Sequence, residues 1–164
     1  MQPNIAAAMG LEKQYQVEAA MLYQLFNFVT WPDVDRIRTS HDICMTKGYP
    51  GKNAFDGLNG LSIDGVPVSI RELSATSGVF ACDMILISEG LNKELLHMLD
   101  QRDARHVLTI SDNEKNMKTY QSLIGFYKER GKIRLSVRLE AIKKAGFRIK
   151  PQLLRLMRVE RENP

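Results

Sequence analysis

The sequence predicts an α/β fold: a single-domain layered α/β/α architecture with a mixed, mostly parallel sheet ending in an antiparallel hairpin. Three observations lead there. Met84-Ile85-Leu86-Ile87 is an unbroken apolar run closed by Ser88-Glu89-Gly90, which reads as a strand buried on both faces and therefore needs helices above and below it. Strand-like and helix-like segments alternate up to about residue 111, the pattern of parallel pairing. After that, two strand-like runs flank Glu129-Arg130-Gly131-Lys132, a hairpin signal that adds antiparallel strands.

The chain has 164 residues, enough for one domain with a real core. The expected division is a disordered segment at 1–11 and one α/β domain at 12–160. Hydrophobic content of 44% and charged content of 26% are those of a globular protein, and no apolar stretch is long enough for a membrane span. The opening residues, Met1 to Ala8, lack the charged-then-apolar order of a signal peptide. A cytoplasmic protein and a mature exported chain are the two alternatives. Charge is polarised along the chain: residues 1–129 carry 12 Lys/Arg and 16 Asp/Glu, whereas residues 130–164 carry 11 Lys/Arg and 3 Asp/Glu. The basic end reads as a solvated helix face or as a surface for an acidic protein or an anionic membrane. No aromatic residues alternate with the basic ones as a base-stacking platform requires, so no nucleic-acid partner is expected.

In chain order, Glu12 to Val29 is the first helix. Leu22, Phe26 and Val29 form one apolar stripe and Met21, Leu25 and Phe28 another, so the helix is packed on more than one side. Trp31-Pro32 ends it, because the residue before a proline leaves the helical region. Asp42 to Thr46 is the first strand, Asn53 to Leu58 a short helix and Asp64-Gly65 a turn. Val66 to Leu73 is the second strand, with Pro67 pointing to a sheet edge or a strand start. Met84–Ile87 is the third. Asn92 to Gln101 is a helix with Asn92 as N-cap and Leu95, Leu96 and Leu99 as its apolar face. His106 to Ile110 is the fourth strand. Ser122 to Tyr127 and Ile133 to Val137 form the hairpin. Arg138 to Ala145 is a helix with Gly146 just past its end, where a left-handed cap favours glycine. Gln152 to Val159 reads as a last helix, with Leu153, Leu156 and Met157 on one face and Arg155 and Arg158 on the other.

Catalytic signals are absent. The nucleophile elbow, the dinucleotide fingerprint and the phosphate loop are all missing. His41, His97 and His106 have no metal-like spacing and read as structural or solvated. A phospho-acceptor receiver domain needs an Asp at the end of a central strand, where this chain has Ser88; Asp112 follows the fourth strand without the acidic pair expected near the first. No catalytic residue, metal or cofactor is therefore expected. Open α/β sheets bind ligands at the carboxyl ends of their strands, which gathers Lys47, Ser88, Ser111 and Asp112 as candidate ligand-binding residues.

The two cysteines lie on the first strand (Cys44) and at the start of the third (Cys82). In a common doubly wound order these strands are neighbours, about 4.8 Å apart, within disulfide reach for opposed residues. A bond would close a loop of about 39 residues and contribute about 4 kcal/mol in the chain-entropy model. Two reduced core cysteines are the equal alternative.

The stretch from Ala19 to Pro32 (AAMLYQLFNFVTWP) resembles the opening helix of the YfiR-like family. Ile43-Cys44, Cys82 to Ser88, Val107 to Asp112 and Ala145 to Leu156 (AGFRIKPQLLRL) are similar to its later landmarks, in order, over about residues 17–159. The resemblance implies a periplasmic regulator that represses a membrane diguanylate cyclase by binding its periplasmic part, lowering cyclic di-GMP and biofilm formation. It also implies a homodimer and a Cys44–Cys82 disulfide formed in an oxidising compartment. The chain departs from the family pattern in having Gln121-Ser122 where a Gly pair is frequent, Arg138 where an Asn is usual, and no second cysteine pair.

The expected function is thus a non-enzymatic periplasmic regulator, with Arg138, Arg155 and Arg158 as candidate partner-binding residues on the basic end. Two alternatives are a small-molecule-sensing periplasmic binding module and a cytoplasmic enzyme on a flavodoxin-like sheet. The missing phosphate loop counts against the last.

Overall fold

The computed structural model describes residues 5–32, 39–73, 78–90, 93–100 and 106–161, with side chains from residue 12 onward. Helix α1 spans Ile5–Phe28, beginning ahead of Glu12, and leads into strand β1, Val29–Thr30. Strand β2 (His41–Thr46), helix α2 (Lys52–Asp56), and strands β3 (Ser62–Ile63) and β4 (Val66–Leu73) follow. A 3-10 turn at Val79–Ala81 precedes β5 (Met84–Ile87), then come α3 (Lys93–Leu99), β6 (Leu108–Ser111) and α4 (Glu114–Tyr120). The last third holds β7 (Ile124–Glu129), β8 (Lys132–Val137), α5 (Leu139–Lys144), β9 (Arg148–Ile149), α6 (Pro151–Leu154) and β10 (Arg158–Val159). Asn92, the expected N-cap of the helix now seen as α3, lies outside the described residues.

Among the described residues, eight strands form one mixed sheet in the order β10-β8-β7-β6-β5-β2-β4-β3, and β1 and β9 pair separately. The central run β4-β2-β5-β6-β7 is parallel throughout. The β7–β8 hairpin is antiparallel, with Glu129 opposite Lys132. Its two-residue loop puts Arg130 and Gly131 at φ +51° and +75°, the left-handed pair that matches strand twist in a tight hairpin. Pro67 is the second residue of β4, ahead of the first β2 partner Val68, and faces only the short edge strand β3. Its missing N–H therefore costs the inner ladder nothing.

Side chains alternate across the sheet into two cores. Ile43, Met45, Met84, Leu86, Leu108 and Ile110 meet Leu22 and Leu25 of α1 on one face, with Phe55, Ile142 and Phe147 joining them. Cys44, Ile85, Ile87 and Val107 meet Leu95 of α3 and Val79 on the other. This is the layered arrangement that the apolar run at Met84–Ile87 requires.

Two elements differ from the expectation. Helix α4 was not anticipated, because EKNMKTY carries only Met117 and Tyr120 as apolar positions, too few to show a helical period. It forms because Asn113 caps it, the side-chain oxygen accepting from the Asn116 amide at 2.8 Å. The last helix, expected over Gln152 to Val159, shrinks to α6, and Arg158–Val159 becomes β10, parallel to β8. The Glu160 amide donates to the Val137 carbonyl at 2.8 Å. An isolated eight-residue helix is marginal, and the open edge of β8 offers ladder bonds in its place. Leu156 is consequently 67% exposed while Met157 is buried.

The end of α1 is clasped to the far end of the chain. Val29 pairs with Ile149 and Thr30 with Arg148, and the Lys150 amide donates to the Phe28 carbonyl at 2.9 Å. The Trp31 indole N–H donates to the Asp83 carbonyl at 2.9 Å. The same ring stacks on Phe26 at 5.2 Å and meets the edge of Phe147 at 5.9 Å. Gly146 sits under this clasp at φ +98°, and a Cβ there would lie 3.1 Å from the Pro32 Cβ. Gly146→Ala is therefore expected to lower the free energy of unfolding by about 1–3 kcal/mol, from positive-φ strain plus contact with Pro32. Urea denaturation of the two proteins measures this.

Candidate functional site

Three places bear on function: the disulfide, the carboxyl ends of the strands and the basic end of the chain. Cys44 and Cys82 are joined by a disulfide with a Cα–Cα distance of 5.9 Å. The two residues are not opposed on neighbouring strands. Cys44 stands opposite Arg71 on β4 and Ile85 on β5, and Cys82 reaches it from the end of the 3-10 turn, ahead of β5. Both are fully buried in the cluster with Leu73, Val79, Ile85 and Leu95. The bond thus ties a turn to the sheet rather than strand to strand. Arg71 Nη2 lies 3.7 Å from the Cys82 sulfur.

At the carboxyl ends of the strands, the four expected ligand residues do not form one site. Ser88 is buried, and its amide donates to the Thr46 hydroxyl at 3.3 Å. Ser111 is fully buried, its hydroxyl 2.5 Å from that of Ser122. These pairs seal the crevices between β2 and β5 and beside β6. Lys47 is exposed. Asp112 is half-buried and accepts from Asn116 Nδ2 at 2.7 Å. Burial holds its pKa above the usual carboxylate value in spite of that bond, and Glu89 adds to the rise.

Asp112 is also the one of the four that lines the cavity under α1, a space of about 460 Å³ that also touches Gln14, Tyr15, Glu18, Phe126 and Lys128. Glu18 is only 2% exposed. Burial lifts its pKa to about 7, against a hydrogen bond with Gln14; Asp112 raises it further and Lys128 lowers it. Tyr49, outside the lining of this cavity, is 4% exposed, and its hydroxyl has no hydrogen-bond partner among the described residues. Its pKa is held high by burial first, then by Glu18, Asp112 and Tyr15. Glu18 and Tyr49 were not singled out from the sequence, although a signal was there. Glu18 precedes Leu22 by four residues and continues the stripe through Leu25 and Val29, so an acid stands on the apolar face of α1.

The basic residues divide. Arg138 and Arg158 line one groove of about 760 Å³ with Lys118, Gln121 and Arg161, whereas Arg155 is exposed beyond α6. Arg138 Nη1 donates to the Gln121 carbonyl at 2.7 Å, tying the residue ahead of α5 to the end of α4. Arg158 is held on three sides. It pairs with Glu114 and, at 2.8 Å, with Glu160, and its guanidinium lies 3.9 Å over the Tyr127 ring. Glu114 and Glu160 are the acidic members of the groove, both paired with Arg158, and four basic residues against these two give the lining a net positive charge. His41 lies tilted against Phe26 with ring centroids 4.8 Å apart, His106 bonds the Phe80 carbonyl and His97 is exposed on α3. Among the described residues, no group of three metal-ligating side chains gathers and no helix is long and apolar enough to cross a membrane.

Two outcomes are expected. Under oxidising conditions, Cys44→Ala loses up to about 4 kcal/mol of stability in the chain-entropy model, while in reductant it differs little from the parent; calorimetry with and without dithiothreitol reads the difference. Glu18, with a folded pKa of about 7 above its ordinary value, binds its proton more tightly when folded. Stability should therefore fall as pH rises from about 4.5 to 7, by about 3 kcal/mol from this group, and level off above. Glu18→Gln should remove that portion of the decline in melting temperatures measured across the range.

No curated protein sequence matches the chain. The family model described as DUF4154, YfiR/HmsC-like, matches residues 15–158. That span takes in the buried acid of α1, both cysteines, strands β1 to β9 and the first residue of β10. The chain belongs to the YfiR/HmsC-like family, whose members are periplasmic regulators of diguanylate cyclase signalling.

Proposed function

We propose that this chain is a non-enzymatic periplasmic regulator that binds the periplasmic part of a membrane signalling protein, a diguanylate cyclase, and holds it inactive. Cyclic di-GMP and biofilm formation fall as a result. The observation that carries this reading is the family match over residues 15–158. A buried disulfide suits an oxidising compartment. Repression needs only a higher affinity for the inactive state of the cyclase than for the active one.

The partner surface we assign is the groove of Arg138 and Arg158. Lys118, Arg138 and Arg161 supply the positive potential, which steers an acidic surface into register. Arg158, pinned by Glu114, Glu160 and Tyr127, sets the shape of the groove more than its net charge. Arg155 belongs to a separate exposed patch. The regulator acts as a homodimer.

The test is to export the chain to the periplasm of its host with a membrane diguanylate cyclase that has a periplasmic domain, and to measure cyclic di-GMP and co-purification. The expected result is a complex and a several-fold fall in cyclic di-GMP. The double charge reversal Lys118→Glu, Arg161→Glu, at two exposed groove residues, weakens both without lowering the amount of folded protein. No complex and unchanged cyclic di-GMP with each of the host's cyclases of that type would overturn the proposal. Light scattering on the purified protein should give twice the 18.7 kDa chain mass.

A further inference from the structure

The end of the chain carries a second basic surface that the partner groove does not use. Between Glu140 and Glu160 the sequence has six Lys/Arg and no Asp/Glu. Arg158 is held by Glu114 and Glu160, and Lys150 lies 5.9 Å over the Phe28 ring. Lys143, Arg148 and Arg155 are exposed and have no acidic partner among the described residues. Lys143 on α5 and Arg148 on β9 line a space of about 470 Å³ together with Leu139, Ile149 and Leu154, three partly exposed apolar side chains. Arg155 and Leu156 follow Leu154 directly. Leu156 is 67% exposed, the most open of the large apolar side chains among the described residues.

We propose that this surface docks on an anionic phospholipid membrane, with Lys143, Arg148 and Arg155 meeting the lipid phosphates and Leu156 entering the headgroup layer. Charge and apolarity are complementary to such a surface and to little else. An exposed leucine among unpaired cations is the composition of an interfacial membrane contact, and long basic side chains can lay their stems on apolar ground while the charge reaches the phosphates. Protein interfaces are instead enriched in aromatic residues and depleted in lysine. The only aromatic residue between Glu140 and Glu160 is Phe147, which is buried, and three of the six cations are lysines. Each basic residue near an anionic leaflet strengthens binding about fivefold. Three such residues and one leucine give reversible, salt-sensitive attachment.

None of these residues lines the groove of Arg138 and Arg158. The inference therefore stands apart from the repressor reading and survives its failure.

The experiment is co-sedimentation of the intact chain with vesicles of phosphatidylcholine alone and of phosphatidylcholine with one-third phosphatidylglycerol. The expected result is saturable binding to the anionic vesicles, at least tenfold tighter than to the neutral ones and weakened several-fold when salt rises from about 0.05 to 0.5 M. Lys143→Gln with Arg148→Gln should weaken it by at least tenfold, and Leu156→Ser by about fivefold, each keeping the parent circular dichroism. The charge-matched control Arg130→Gln with Lys132→Gln, at the exposed tip of the β7–β8 hairpin, should change it less than threefold. Absence of binding to the anionic vesicles, the outcome if the surface serves an acidic protein, would overturn the proposal. So would equal losses from the two neutralised pairs, which would reduce the effect to net charge, or full binding by Leu156→Ser.

Discussion

The fold depends on the complete burial of Met84–Ile87. None of the four residues is more than 1% exposed, so β5 has no polar face to turn to water and must lie inside the sheet with helices on both sides. Met84 and Leu86 enter the core beneath α1, and Ile85 and Ile87 enter the core beneath α3. The strand sits between β2 and β6, and its register with them sets where every strand end falls. Thr46 thereby meets Ser88, and Asp112 is placed beyond β6, where its amide donates to the Ile87 carbonyl. A slip of one residue would exchange the two cores, which separates α1's wide apolar face from the surface it matches.

Two fastenings surround this strand, and each joins distant parts of the sequence. The disulfide ties the turn that leads into β5 to the middle of β2. The Trp31 clasp joins the end of α1 to β9 and reaches β5's approach through the Asp83 carbonyl. Both act at the amino end of β5, so the carboxyl ends of the strands are held from behind. There the hydroxyl pairs Thr46–Ser88 and Ser111–Ser122 satisfy one another.

The cavity under α1 and the basic groove differ in the balance of charge that lines them. The carboxylates Glu18 and Asp112 line a sheltered cavity under α1, while Lys118, Arg138 and Arg161 face an open groove. Glu114 lines both spaces, with its carboxylate held by Arg158. An open basic groove suits a large acidic surface, with its charge screened by solvent and salt.

The sequence by itself determined what local pattern can encode. The Met84–Ile87 run, the β4 span with Pro67, the Arg130-Gly131 hairpin turn and the Gly146 cap were legible because each follows from short-range sterics or from burial period. Leu22, Leu25 and Val29 announced the face of α1 in the same way, and the series of landmarks from Ala19 to Leu156 carried the family. What only the tertiary structure decided depends on partners distant in sequence. Gln152 to Val159 has a helical pattern, yet the free edge of β8 draws Arg158–Val159 into the sheet. Cys44 and Cys82 permitted a bond or two thiols until the turn at Val79–Ala81 brought Cα atoms to 5.9 Å. Ser88 and Ser111 read as open polar ends until packing gave each a buried hydroxyl neighbour. Glu18 and Asp112, 94 positions apart in the sequence, line one cavity because α1 packs over the face of the sheet, and no local pattern carries that packing.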